Sequence, residues 1–216
     1  MYEYGGLPYA IIPGRALRVI FSDARKQSLN LLYAEDEILE TLVQSSTLRY
    51  ADFDCYPDIW DDTEDHAWVL AVEEDHTNPK PKDVKNCIVA INIATKAVKR
   101  IAEGADFYSY PRFSPDGTEI AWVQWNHPDL PFSGAQLYLA DFNEYEGTVS
   151  EPRIVAGDRG ESVAEPRWSP DGQLFFASDK TGFRQLCRLV NGERERITLP
   201  GLEEAEFGEA SWIVGW

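Results

Sequence analysis

Pro111–Gly117 reads PRFSPDG and Pro166–Gly172 reads PRWSPDG, six identities in seven positions at an offset of 55 residues. A weaker copy lies upstream as DFDCYPD (Asp52–Asp58), and a fainter one as IIPG (Ile11–Gly14). The aligned prolines, at 13, 57, 115 and 170, are spaced by 44, 58 and 55 residues. The motif is a turn by its chemistry. Proline presets φ, aspartate can hydrogen-bond nearby backbone, and glycine takes a positive φ at no steric cost. Three apolar runs follow each copy. After Pro170 they are LFFASD (Leu174–Asp179), QLCRLV (Gln185–Val190) and RERITL (Arg194–Leu199). After Pro115 they are EIAWVQW (Glu119–Trp125), QLYLADF (Gln136–Phe142) and PRIVAG (Pro152–Gly157). After Pro57 come HAWVLAVEED (His66–Asp75), CIVAINI (Cys87–Ile93) and AVKRIA (Ala97–Ala102). After Pro13 come RVIFSD (Arg18–Asp23), LNLLYA (Leu29–Ala34) and ILETLV (Ile38–Val43).

These runs are short, rich in Val, Ile, Leu and aromatic residues, and bounded by Gly, Pro, Asp and Asn, which is strand grammar. No long apolar pattern of period 3.6 with caps appears; Glu35–Leu42 is the nearest and is short. The chain therefore reads as all-β. Four-stranded units recurring at this period are the signature of a β-propeller, in which each thin sheet buries its faces against its neighbours. Residues 1–216 read as a single propeller with blades at about 5–47, 48–104, 105–160 and 161–201. Residues 205–216, AEFGEASWIVGW, open a further blade, with Ala210-Ser211-Trp212 standing where Pro166-Arg167-Trp168 stands. Two explanations fit four blades plus one strand. Either the chain is a piece of a larger propeller, or its last strand completes the first blade and closes a four-bladed ring. The first is the expectation.

With 20 Lys+Arg against 37 Asp+Glu the formal charge is −17, and hydrophobic residues make up 44% and aromatic residues 12% of the chain. That composition builds a core and excludes a disordered acidic tail. The charge argues against a nucleic-acid partner, which needs a basic face. Cys55, Cys87 and Cys187 are widely spaced and odd in number, so neither a zinc ribbon nor a disulfide scaffold is expected. MYEYGGLPYAIIPG (Met1–Gly14) lacks a signal-peptide pattern, and no apolar run is long enough for a membrane span. Reduced thiols and a cytoplasmic location, with no membrane partner, are the expectation.

A longer set of strings carries a family resemblance: EYGGLPYAI (Glu3–Ile11), FSDARKQSLNLL (Phe21–Leu32), RYADF (Arg49–Phe53), VEEDH (Val72–His76), DFYSYPRFSPDGTEIAWVQWNHPDLPFSGAQLYLADF (Asp106–Phe142), ASDKTGFRQLCRL (Ala177–Leu189) and AEFG (Ala205–Gly208). In this order they resemble the propeller domain of prolyl oligopeptidase-type serine peptidases, nearest the dipeptidyl aminopeptidase or acylaminoacyl-peptidase branch. The Ser-Pro-Asp-Gly repeat alone is shared with other propellers, including TolB-like ones. The resemblance implies a propeller that precedes an α/β-hydrolase domain, gates peptides to its Ser-Asp-His triad, and uses no metal or organic cofactor. This chain holds no Gly-x-Ser-x-Gly elbow and no strand–helix alternation. No catalytic, cofactor-binding or metal-binding residue is therefore assigned, and the substrate-binding positions stay open. A peptide substrate of the parent hydrolase, or a protein partner of a free-standing scaffold, are the two partner readings; an independent hydrolase of new type is a third.

His76 and His127 end equivalent strands, in EEDH and WNHP, 51 residues apart; a polar contact near a channel mouth competes with a structural role in anchoring the next loop. His66 completes the histidines, and none adjoins a recognisable nucleophile. Asp58, Asp61, Asp62, Glu64 and Asp65 suggest a solvated acidic loop rather than a Ca²⁺ site, because the ligand spacing and turn glycine are missing. Glu73 and Glu74 could capture a peptide amine, but strand neighbours face opposite sides, so they cannot form one clamp without a bulge. Trp60, Trp68, Trp122, Trp125 and Trp168 fall on or near strands, as inter-blade packing requires. Gly5-Gly6 and Gly157–Gly160 lack the lysine and helix start of a phosphate loop. Asp116 and Asp171 are expected to fix their turns.

Overall fold

The apolar runs form four antiparallel sheets, each following the chain strand by strand. The computed structural model describes residues 5–14, 16–57, 59 and 66–208. The first sheet holds β1 (Tyr9–Ile12), β2 (Arg18–Asp23), β3 (Ser28–Tyr33) and β4 (Ile38–Gln44) in sequential order. The second holds β5 (Leu48–Cys55), β6 (Trp68–Asp75), β7 (Lys85–Asn92) and β8 (Val98–Ala102). The third holds β9 (Phe107–Phe113), β10 (Glu119–Trp125) and β11 (Gln136–Asn143), with both the two-residue β12 (Thr148–Val149) and β13 (Arg153–Ala156) paired to β11. The fourth holds β14 (Val163–Trp168), β15 (Leu174–Ser178), β16 (Gln185–Val190) and β17 (Glu193–Arg196). One 3-10 turn, Pro81–Asp83, is the only helical element among the described residues.

The first strand of each sheet packs on the first strand of the next, β1 on β5, β5 on β9 and β9 on β14. That is the arrangement of a partial β-propeller. Among the described residues the first and fourth sheets share no comparable packing, so these residues form an open arc. The acidic loop residues Asp58, Asp61, Asp62, Glu64 and Asp65, Trp60, and the strand expected around Trp212 lie outside the described residues.

The repeat motif behaves as its chemistry requires. Gly117 has φ +72° and its amide bonds the Ser114 carbonyl at 2.9 Å, while Gly172 has φ +82° and bonds that of Ser169 at 2.9 Å. A Cβ on Gly117 would also lie 2.4 Å from the Tyr56 ring, so the turn needs glycine twice over. Asp116 binds the Ser114 hydroxyl at 2.6 Å and the Thr118 amide at 3.1 Å; Asp171 accepts from the Ser169 hydroxyl at 2.5 Å.

The inner strands carry a second repeat that the motif did not reveal. Asp52, Tyr110 and Glu165 occupy equivalent positions, each inside a register shift, with φ +57°, +53° and +55°. Left-handed backbone is uncommon for such residues. Their side chains link successive sheets. Asp52 accepts from the Tyr110 amide at 2.6 Å and from Arg112 at 2.9 Å, and the Tyr110 hydroxyl donates to Glu165 at 3.0 Å. Asp54 adds a bond from the Phe113 amide at 2.8 Å. Burial, opposed by Arg112, pushes the Asp54 carboxyl up to about 6.

The core lies between these sheets. Trp122 and Trp125 on β10 and Trp68 on β6 are buried, and Trp168 is half-buried with its indole donating to the Arg112 carbonyl at 3.4 Å. Packing and inter-sheet bonding thus account for these four tryptophans. Cys55, Cys87 and Cys187 are all free thiols. No helix among the described residues is long and apolar enough to cross a membrane.

Candidate functional site

The WVLAVEED run of β6 alternates its side chains, and its two glutamates part company as strand geometry demands. Glu73 shares a cross-strand row with Tyr50 and Cys87. It accepts from the Tyr50 hydroxyl at 2.8 Å and from Arg100 at 3.2 Å. Burial, then the Glu73 charge, holds the Tyr50 phenol well above its ordinary value and pushes the Cys87 thiol up to about 12, so Cys87 is no thiolate nucleophile at neutral pH.

Glu74 faces the other way, in a row with Arg49 on β5 and Asn86 on β7. These three line a cleft of about 330 Å³ with His76, Lys82, Asp106, Phe107 and His127. His76 Nε2 lies 2.7 Å from Glu74 Oε2. The His127 ring meets the Phe107 edge at 5.0 Å, and Phe107 stacks on Trp125 at 5.5 Å. Asp106 accepts from the His127 amide at 2.9 Å, and its own carbonyl accepts from Asn86 Nδ2 at 2.6 Å. That bond orients the Asn86 amide and leaves its Oδ1, buried, without a hydrogen-bond partner. Beyond Asn86 lies a second cavity of about 390 Å³, lined by Asp75, Lys85, Cys87, Arg100 and Glu103 among others.

His76 and His127 do come together, on the rim of one cleft at the sheet end where β6 and β10 finish. His66 sits at the opposite end of β6, its ring on Tyr145 at 4.7 Å and its Nδ1 3.9 Å from Glu144. Among the described residues the three imidazoles meet carboxylates and aromatic rings, not serine hydroxyls. The described residues hold no group of three or more His, Cys, Asp or Glu fit for a metal ion. Arg49, Asn86 and Asp106 were not picked out by sequence. Cross-strand register brings them to Glu74, and nothing in their spacing announces it.

No family model matches the chain. Over 124 residues it is 27% identical to dipeptidyl-peptidase 5 of Porphyromonas gingivalis, a match covering 56% of this chain and 17% of that protein. The solved structure of puromycin hydrolase is 28% identical and superposes with a TM-score of 0.83, covering 99% of this chain and 33% of that one. A puromycin-hydrolyzing peptidase of Mycobacterium tuberculosis is 30% identical, with a TM-score of 0.76, covering 91% of this chain and 31% of the other. The chain thus spans about one third of these structures and less of the curated relative. In sequence and in fold it resembles the propeller portion of prolyl oligopeptidase-type serine peptidases.

Proposed function

We propose that the chain serves as the non-catalytic propeller portion of a prolyl oligopeptidase-type serine peptidase, gating short peptides toward an α/β-hydrolase domain that these residues do not include. Soluble, cytoplasmic work without metal or organic cofactor belongs to this reading. One observation carries it: nearly the whole chain superposes on one third of the solved structure of puromycin hydrolase at 28% identity. The polar cleft beside the inner strands gives such a propeller a place to meet a peptide.

The test reads the gene on both sides of these 216 codons and treats the purified chain with a fluorophosphonate probe. Expected are further blades and a Gly-x-Ser-x-Gly segment in the same frame, and no labelling of the chain itself. Labelling of a serine within the chain, with hydrolysis of a chromogenic peptide, overturns the non-catalytic reading. A frame closed at both ends transfers the role to a free-standing interaction scaffold.

A further inference from the structure

The Arg49–Glu74–Asn86 row contains two groups with unspent hydrogen-bonding capacity. Asn86 is only 7% exposed, and its Oδ1 has no partner. Buried acceptors are nearly always satisfied, so this one is an opening for a donor. Arg49 forms no ion pair with any described residue, and its Nε is buried without a hydrogen bond, in a chain where carboxylates outnumber cations 37 to 20. The two carboxylates nearby are engaged, Glu74 with His76 and Asp106 with the His127 amide. Phe107, His127, Pro79 and Pro81 add an apolar wall, and the volume of about 330 Å³ falls at the small end of ligand sites.

A free guanidinium fits a carboxylate as a planar fork. A lone acceptor beside it fits an N–H, and the ring wall fits an apolar side chain. A peptide's last residue presents these three features together. An amino terminus would instead bring its charge against Arg49. We propose that this cleft is a subsite for the C-terminal residue of a short peptide, with Arg49 receiving the carboxylate and Asn86 Oδ1 accepting the terminal amide N–H. The assignment rests on the peptidase-propeller reading and adds to it a reason for preferring short substrates, whose far end can reach the cleft.

The experiment is calorimetric titration of the 216-residue chain with Ala-Ala-Phe as the free acid and as its C-terminal amide. The acid is expected to bind at least about tenfold more tightly than the amide, the loss of one charge-assisted pair. R49Q should bring the acid down to the amide's affinity and leave the amide unchanged. R49K, which keeps the charge without the fork, should fall between. N86L should weaken both peptides. Melting curves establish that each variant is folded. Equal binding of acid and amide, an acid preference that survives undiminished in R49Q, or no binding by the folded chain overturns the subsite. Because the titration reads no catalysis, such a failure leaves the peptidase reading to its own test in the flanking sequence.

Discussion

Asp116 and Asp171 occupy the same place in the repeat but are not equal in what they hold. Asp116 binds a hydroxyl and a backbone amide, and the Ser114 and Thr118 bonds keep its carboxyl below its ordinary value of 3.8. Its Ala variant should lose about 1 kcal/mol at pH 7, the net worth of a hydrogen bond. Since the folded form is depressed, that contribution is complete above 3.8 and disappears as pH falls through the lower folded value. Thermal melts should therefore show the parent and Asp116→Ala converging in acid. Asp171, with one exposed partner, should give the smaller shift, and an equal or larger one would contradict the assigned geometry. Asp54 works in the opposite sense. Its folded value of about 6 lies above 3.8, so its favourable contribution is full below 3.8 and is lost as pH rises through about 6. Asp54→Asn keeps an acceptor for the Phe113 amide and removes the charge. It should flatten the pH dependence of unfolding between those values and stabilise the chain near pH 7.5 by on the order of 2–3 kcal/mol. A variant that keeps the parent's pH profile would show that Asp54 does not titrate in this range.

At the level of elements, the inner strands hold the arc together through their bulges. Asp52 is 1% exposed and satisfies a neighbouring amide and a guanidinium on β9. Asp52→Ala leaves the largely covered Arg112, 14% exposed, without that partner and should cost about 3 kcal/mol in urea unfolding; a loss below about 1 kcal/mol would mean the link is incidental. The four-strand grammar was legible in the sequence because turn chemistry and apolar runs are local properties, and the Ser-Pro-Asp-Gly copies keep theirs. The bulges were not legible. Asp52, Tyr110 and Glu165 are three different residue types, and only their shared left-handed backbone makes them equivalent. The cleft was half visible. The offset of His76 and His127 pointed to one region, and strand alternation separated Glu73 from Glu74. Arg49 and Asn86 joined them only through register across β5, β6 and β7, a long-range property that no window of sequence contains.

For the molecule as a whole, the two ends of the arc differ. The outer face of the first sheet carries a wholly apolar row, Ile11, Val19, Leu32 and Leu39, with Tyr9 and Phe21 paired beside it. Ile11 is 62% and Leu39 53% exposed. The outer face of the fourth sheet instead bears Arg167, Phe175, Arg188 and Glu195 in one row, with Arg188 and Glu195 in an ion pair at 3.0 Å. In a propeller, a face like that of the first sheet is one that a neighbouring blade covers. Left open, an apolar face of this kind drives association. The 216-residue chain by itself should therefore bind an apolar dye and sediment as concentration-dependent oligomers. Ile11→Lys combined with Leu39→Glu should return it toward a monomer and reduce dye binding, with little change in melting temperature because neither side chain is buried. Arg188→Ala, on the opposite end, should leave association unchanged. Oligomers that persist in the double variant, or a parent that is monomeric at every concentration, would mean that this face needs no neighbour and that an arc of four sheets is sufficient to itself.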